Sequence, residues 1–235
     1  MTTLSPPDLQ RFNDQDAHQI ITRLFKEGYK PVDTTPGCRI FRDAAHAHLL
    51  TLCPIPSLGE AFTQACMTAP LNPHLPRVLA HKTLDSGLHL RVTENLNSCA
   101  DFPTQMRKTI SGQARAFSSL FEGDDLHVSV HPLLRQYAPL VEAVRRVVTC
   151  GGALCDGTRK DALPVRIDPR GQSVLFRVGS HEPVFVNPLI PAASSLKAAN
   201  ENLQQVEARF SDAEMAKDVS RYWPKIPARA ARAAP

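Results

Sequence analysis

The sequence predicts an α+β fold whose first half is an antiparallel five-stranded sheet with one helix and whose second half is mainly helical. Three observations carry that expectation. A Thr-Thr-Pro-Gly turn joins two short apolar-bearing runs, a segment with helical spacing follows the third run, and the fifth run alternates apolar with polar residues.

Taken in order, residues 29–41 (YKPVDTTPGCRIF) read as a hairpin, because Pro36-Gly37 punctuates the run. Residues 46–55 (HAHLLTLCPI) supply a third strand closed by Pro54. In residues 57–69 (SLGEAFTQACMTA), Ser57 and Glu60 have capping-box spacing, and Leu58, Phe62, Ala65, Cys66 and Ala69 fall at helical intervals. Residues 77–84 (RVLAHKTL) and 88–96 (LHLRVTENL) flank a turn at Asp85-Ser86-Gly87. Leu88, Leu90 and Val92 alternate there, which predicts a half-buried strand. A short helix capped at Asn13 or Asp14 and ended by Gly28 precedes the sheet.

In the second half, residues 102–121 and 131–148 read as helices, the latter with an apolar stripe at Leu133, Leu134, Leu140, Val144, Val147 and Val148. Residues 194–223 are rich in helix formers, with Leu196, Leu203, Val206 and Phe210 on one face. The Pro- and Ala-rich end, with Lys225, Arg229 and Arg232, reads as a solvated tail.

Composition narrows the function classes. The chain has 235 residues, 43% hydrophobic and 21% charged, which suits a soluble globular protein of one domain or two small lobes. A net charge of +4, dispersed along the chain, argues against a nucleic-acid-binding surface. No apolar run reaches the roughly 20 residues of a membrane helix, and the first residues lack a secretory layout, so a cytoplasmic location is expected. Cys150 and Cys155 miss the two-residue spacing of zinc and redox motifs; Cys38, Cys53, Cys66 and Cys99 read as small core residues. His46 and His48 alternate like a metal pair but have no further ligand at a recognised spacing. No Gly-x-Ser-x-Gly elbow, Walker loop or dinucleotide fingerprint occurs.

The element order, NPHLPRVL at residues 72–79 and VTENL at residues 92–96 together resemble the small lobe of the protein-kinase-like superfamily, most closely the compact kinase-like proteins of tailed bacteriophages. The resemblance implies a two-lobed fold: segment 1–28, small lobe 29–96, truncated large lobe 97–193, and a C-terminal helix and tail at 194–235. Such a lobe carries a phosphate-pairing lysine on the third strand and its glutamate partner on the next helix. Thr51 stands at the lysine position and Glu60 at the glutamate position, while Glu94 and Asn95 lie at the hinge that would cup an adenine. Only Gly37 remains of the glycine-rich loop. Glu60 has an equally simple reading as the cap partner of Ser57.

The catalytic loop fits in two registers. In the first, residues 166–177 (RIDPRGQSVLFR) make Asp168 the base and put Ser173 at the asparagine position, with Asn187 replacing the metal-binding aspartate. In the second, residues 154–161 (LCDGTRKD) make Asp156 the base and Asp161 the asparagine substitute, with residues 166–179 as the following hairpin. The first is preferred because VLFR followed by PVFVNP resembles the phage proteins' wording. Asp168 also has a plain reading as a turn residue before Pro169. Only 48 residues follow Asn187, so the resemblance implies a truncated large lobe in which the activation segment and substrate-binding helices of full-size kinases are expected to be mostly absent.

Phosphoryl transfer depends on positioned cations that neutralise developing charge. A hydroxyl at 51 and an amide at 187 supply none, and each preorganised charge lost is worth about 3 kcal/mol of barrier. The resemblance therefore implies a pseudokinase that binds and modulates a partner protein, in the phage setting a host protein. The alternative is a divergent ATP-dependent serine/threonine kinase-like phosphotransferase using Mg and either Asp168 or Asp156. Neither reading involves a membrane.

Overall fold

The computed structural model describes residues 6–35, 38–45, 47–68, 71–94, 137–167, 174–176, 183–191 and 194–210. A 3-10 turn (Gln10–Phe12) precedes α1 (Ala17–Lys26), β1 (Lys30–Thr35), β2 (Cys38–Arg42), β3 (His48–Cys53), α2 (Pro56–Met67), β4 (Val78–Thr83) and β5 (His89–Glu94). Then come α3 (Tyr137–Leu154), β6 (Arg166–Ile167), β7 (Val174–Phe176), β8 (Pro183–Phe185), β9 (Leu189–Ile190) and α4 (Leu196–Arg209). The first five strands form one antiparallel sheet in the order β1-β2-β3-β5-β4. With α2 between β3 and β4, this is the α+β arrangement expected from the sequence. Farther on, β6 pairs with β9 and β7 with β8, both antiparallel.

Two helix starts differ from the expected ones. Asp16, not Asn13 or Asp14, caps α1: its carboxylate accepts from Gln19 N at 2.8 Å, and Gln19 Oε1 accepts from Asp16 N at 2.9 Å. This reciprocal pair satisfies two orphan donors at once, which neither earlier residue does. Gly28 then ends the turn at φ +82°, where a side chain would be strained and a Cβ would meet Ala44 at 3.2 Å. Ser57 does not cap α2. The cap position is Ile55 and Pro56 opens the helix, its fixed φ and missing N–H suiting the first turn. Residues 102–121 and the end of the chain from 211 lie outside the described residues.

Period-2 alternation splits the sheet into two faces, and both are covered. On one, Phe41, Leu50, Leu52, Leu90 and Val92 pack against Ile20 and Leu24 of α1 and against Phe12. The other faces α2 and the β7–β8 hairpin. β5 is consequently buried on both sides rather than half-buried, with His89, Arg91 and Thr93 enclosed along with its apolar residues.

A second core joins Leu58, Phe62 and Ala65 of α2 to Leu140, Val144 and Val147 of α3, and to Leu203, Val206 and Phe210 beyond. Close approach of α3 and α4 requires Gly151, since a Cβ there would stand 2.8 Å from Leu203. Ser195 caps α4 by accepting from Ala198 N at 3.1 Å. Among the described residues, no helix is long and apolar enough to cross a membrane.

The NPHLP stretch is the clasp between these parts. Asn72 Nδ2 donates to Pro139 O at 2.8 Å, at the start of α3. Asn72 Oδ1 accepts from His74 N at 2.9 Å. The fully buried His74 ring donates through Nδ1 to Pro183 O at 2.8 Å, and Phe185 N donates to His74 O at 2.9 Å. Both ends of β8 therefore hang on one residue. A His74→Ala protein should lose about 2 kcal/mol from the orphaned carbonyl and the vacated volume, read as a lower urea midpoint with an unchanged slope.

Candidate functional site

β3 places Thr51 at the centre of the sheet, opposite Ile40 on β2 and Arg91 on β5. Thr51 is buried, and its hydroxyl has no hydrogen-bond partner among the described residues. Glu60, one helix away, is exposed and accepts from the Thr83 hydroxyl on β4 instead. No hydrogen bond brings Thr51 and Glu60 together. Glu94, at the end of β5, accepts from Arg77 N at 3.2 Å, while its own N–H donates to Arg77 O at 3.1 Å.

The remaining sequence candidates fall in three places. Asn187 is buried just beyond β8, hydrogen-bonded to the Cys38 side chain. Asp156 is exposed in the turn after α3, where the Thr158 N–H at 2.9 Å and hydroxyl at 2.8 Å hold its carboxyl below its ordinary range. Asp161, also exposed, is held low by a two-point pairing with Arg159 at 3.1 and 2.7 Å. Gly37, Asn95, Asp168 and Ser173 lie outside the described residues.

The most unusual group at this face is one the sequence reading passed over. Arg91 is only 2% exposed. Its guanidinium donates to Val186 O at 2.8 Å and to the Thr63 hydroxyl at 3.4 Å, and lies 4.8 Å from the centre of the Phe62 ring. A carbonyl, a hydroxyl and an aromatic face replace water without a carboxylate among its hydrogen-bond partners. Arg91 stands directly across the ladder from Thr51, on β5.

Arg91 belongs to a polar chain that leads outward. Thr63 Oγ1 lies 2.9 Å from His89 Nε2, and His89 Nδ1 lies 3.0 Å from Thr83 Oγ1, which donates to Glu60. With that proton committed, Thr83 accepts from His89 Nδ1–H, so Nε2 carries the lone pair. Thr63, 2.7 Å from Gly59 O, then has one proton for two acceptors. Burial above all, then the Arg91 charge and His81 on β4, push the His89 pKa down to about 3.

The rest of the face is closed by hydrocarbon. Ile40 and Leu49 of the sheet form one buried cluster with Val184 and Val186 at β8, and Val32 and Leu175 pack against it. A cue to all this stood in β5: His89, Arg91 and Thr93 alternate on the face that a half-buried strand would turn to solvent.

No family model matches the chain, and no curated protein matches it. Among solved structures, it is similar to an aminoglycoside-3'-phosphotransferase of type VIII at 18% identity, over 84% of this chain and 88% of that one, with a TM-score of 0.30.

Two outcomes test the buried chain. A Cβ at Gly59 would stand 2.6–2.8 Å from three His89 atoms. Gly59→Ala should therefore destabilise the protein by about 1–3 kcal/mol in chemical denaturation, although alanine is the better helix former. His89 is neutral when folded and binds a proton below about pH 6.5 when unfolded. Its contribution is intact at neutral pH and lost as pH falls from 6.5 towards 3, amounting to roughly 2 kcal/mol between pH 8 and pH 5. A His89→Gln protein should show a flatter stability profile over that range.

Proposed function

We propose that this protein is a kinase-like scaffold that does not employ ATP, a pseudokinase whose work is to bind and modulate a partner protein. In a kinase, nucleotide and metal lie between the loop and lysine-bearing strand above and the metal-holding residues below. Here the corresponding interval is occupied. Leu49 and Ile40 meet Val184 and Val186, and Arg91 clasps Val186 O at 2.8 Å. Asn187 is turned to Cys38. The direct joining of sheet to β8 is the observation that carries the reading, because a nucleotide would have to break a buried charged hydrogen bond and part four enclosed aliphatic side chains. The described residues do not fit ATP with Mg.

The hairpin arrangement favours the first loop register. β7 follows Ser173 and pairs with β8, which leads to Asn187, whereas β6 pairs with β9 and not with β7. A chain carrying this hairpin yet lacking the cations of transfer chemistry fits the degenerate, phage-like member that the wording resembles. A cytoplasmic host protein is the partner that reading implies. The α2–α3 groove, about 440 Å³ and edged by Ala61, Gln64, Glu142 and Arg146, offers a surface for it, with Met67 52% exposed nearby on α2.

Thermal denaturation with ATP, with and without Mg, tests the proposal. Unchanged midpoints are expected in both conditions. A Mg-dependent rise would overturn it in favour of a divergent phosphotransferase acting through Asp168 or Asp156.

A further inference from the structure

The β2–β3 register pairs Arg39 with Leu52, and one step farther from the β2–β3 connection puts Cys38 opposite Cys53. Antiparallel partners hold their Cα atoms about 4.5 or about 5.5 Å apart, and a disulfide spans about 4.4–6.8 Å. Both cysteines are free and buried, and their thiols are hydrogen-bonded to each other. We propose that Cys38 and Cys53 are a peroxide-oxidisable dithiol, a redox site beneath the β1–β2 turn.

Four features single this pair out. Cys53 lies just before the first turn of α2, in the favourable field of the helix dipole, with its thiol donating to Ile55 O at 3.1 Å. Cys38 donates its S–H to the Cys53 sulfur, the main reason Cys53 is held below the ordinary thiol range, and Arg91 adds a positive field. Arg91 is diagonal to Cys53 on the same sheet face and has no carboxylate among its hydrogen-bond partners, so a Cys53 thiolate would be a counter-charge for it. By contrast, burial pushes Cys66 and Cys150 up to about 12, and Cys38, the donor of the pair, is raised too, which leaves Cys53 as the sulfur that meets peroxide first.

The chemistry balances with hydrogen peroxide as oxidant. The Cys53 thiolate attacks one peroxide oxygen, giving a sulfenic acid and a hydroxide that takes up a proton to become water. Cys38 sulfur then attacks Cys53 Sγ, the S–S bond forms, and a second water leaves with the Cys38 proton. Two thiols and one peroxide become one disulfide and two waters. Cys38 sulfur also receives the Asn187 hydrogen bond, so oxidation weakens a link between β2 and the segment after β8.

The test treats the native, reduced chain with one equivalent of hydrogen peroxide, denatures it in excess N-ethylmaleimide so that buried thiols are blocked as they are exposed, and maps peptides without reduction. The expected result is a Cys38–Cys53 disulfide as the first oxidised product, reversed by dithiothreitol. A first product at Cys66, Cys99, Cys150 or Cys155, or no product at all, would overturn the proposal. In a Cys38→Ser protein, dimedone should label Cys53; absence of label in a folded variant would count against Cys53 as the attacking sulfur. The map of the unaltered chain decides even where the variant does not fold.

Discussion

Arg91 ties the sheet to the second half of the chain, and much of the architecture follows from the need to keep its charge satisfied. A guanidinium removed from water needs acceptors for its fork of donors. The fold provides Val186 O from the residue after β8, the Thr63 hydroxyl from α2, and the Phe62 ring. Meeting those demands brings α2 and β8 onto the same face of β5. The His74 clasp works in the same sense from the other side, gripping Pro183 O and Phe185 N.

The consequence is a sheet with no wet face at its centre. α1 covers one side with Ile20 and Leu24, while α2 and the β7–β8 hairpin cover the other. Buried polar groups in such a layer raise the stakes of packing, because each must find its partner inside. The chain from Arg91 through Thr63, His89 and Thr83 to Glu60 meets that requirement except at Arg91 Nε, which has no hydrogen-bond partner among the described residues, and it reaches solvent at its far end.

What the sequence made legible was local. Turn chemistry at Pro36-Gly37 and Asp85-Ser86-Gly87, together with period-2 runs, located all five strands, and helical spacing located α2. Cap positions shifted because two arrangements competed over a few residues, and Pro56 and the Asp16–Gln19 pair prevailed. The site was less legible. The Arg91–Val186 contact joins residues far apart in the chain, and alternation on β5 cannot distinguish a polar face turned to water from one sealed under another layer. Thr51 and Glu60 were picked out by their place in a resembling pattern; Glu60 lies at the outer end of the hydrogen-bonded chain that begins at Arg91, and the Thr51 hydroxyl stands outside it.

The Thr51–Arg91 pairing also bears on how this chain can change over generations. A lysine arising at position 51 would face a buried guanidinium directly across the ladder, and like charges so placed repel. Loss of Arg91 first would strip Val186 O of its donor. Either single step passes through a less stable protein, so the two positions are epistatic, and what each will tolerate is set by the residue at the other.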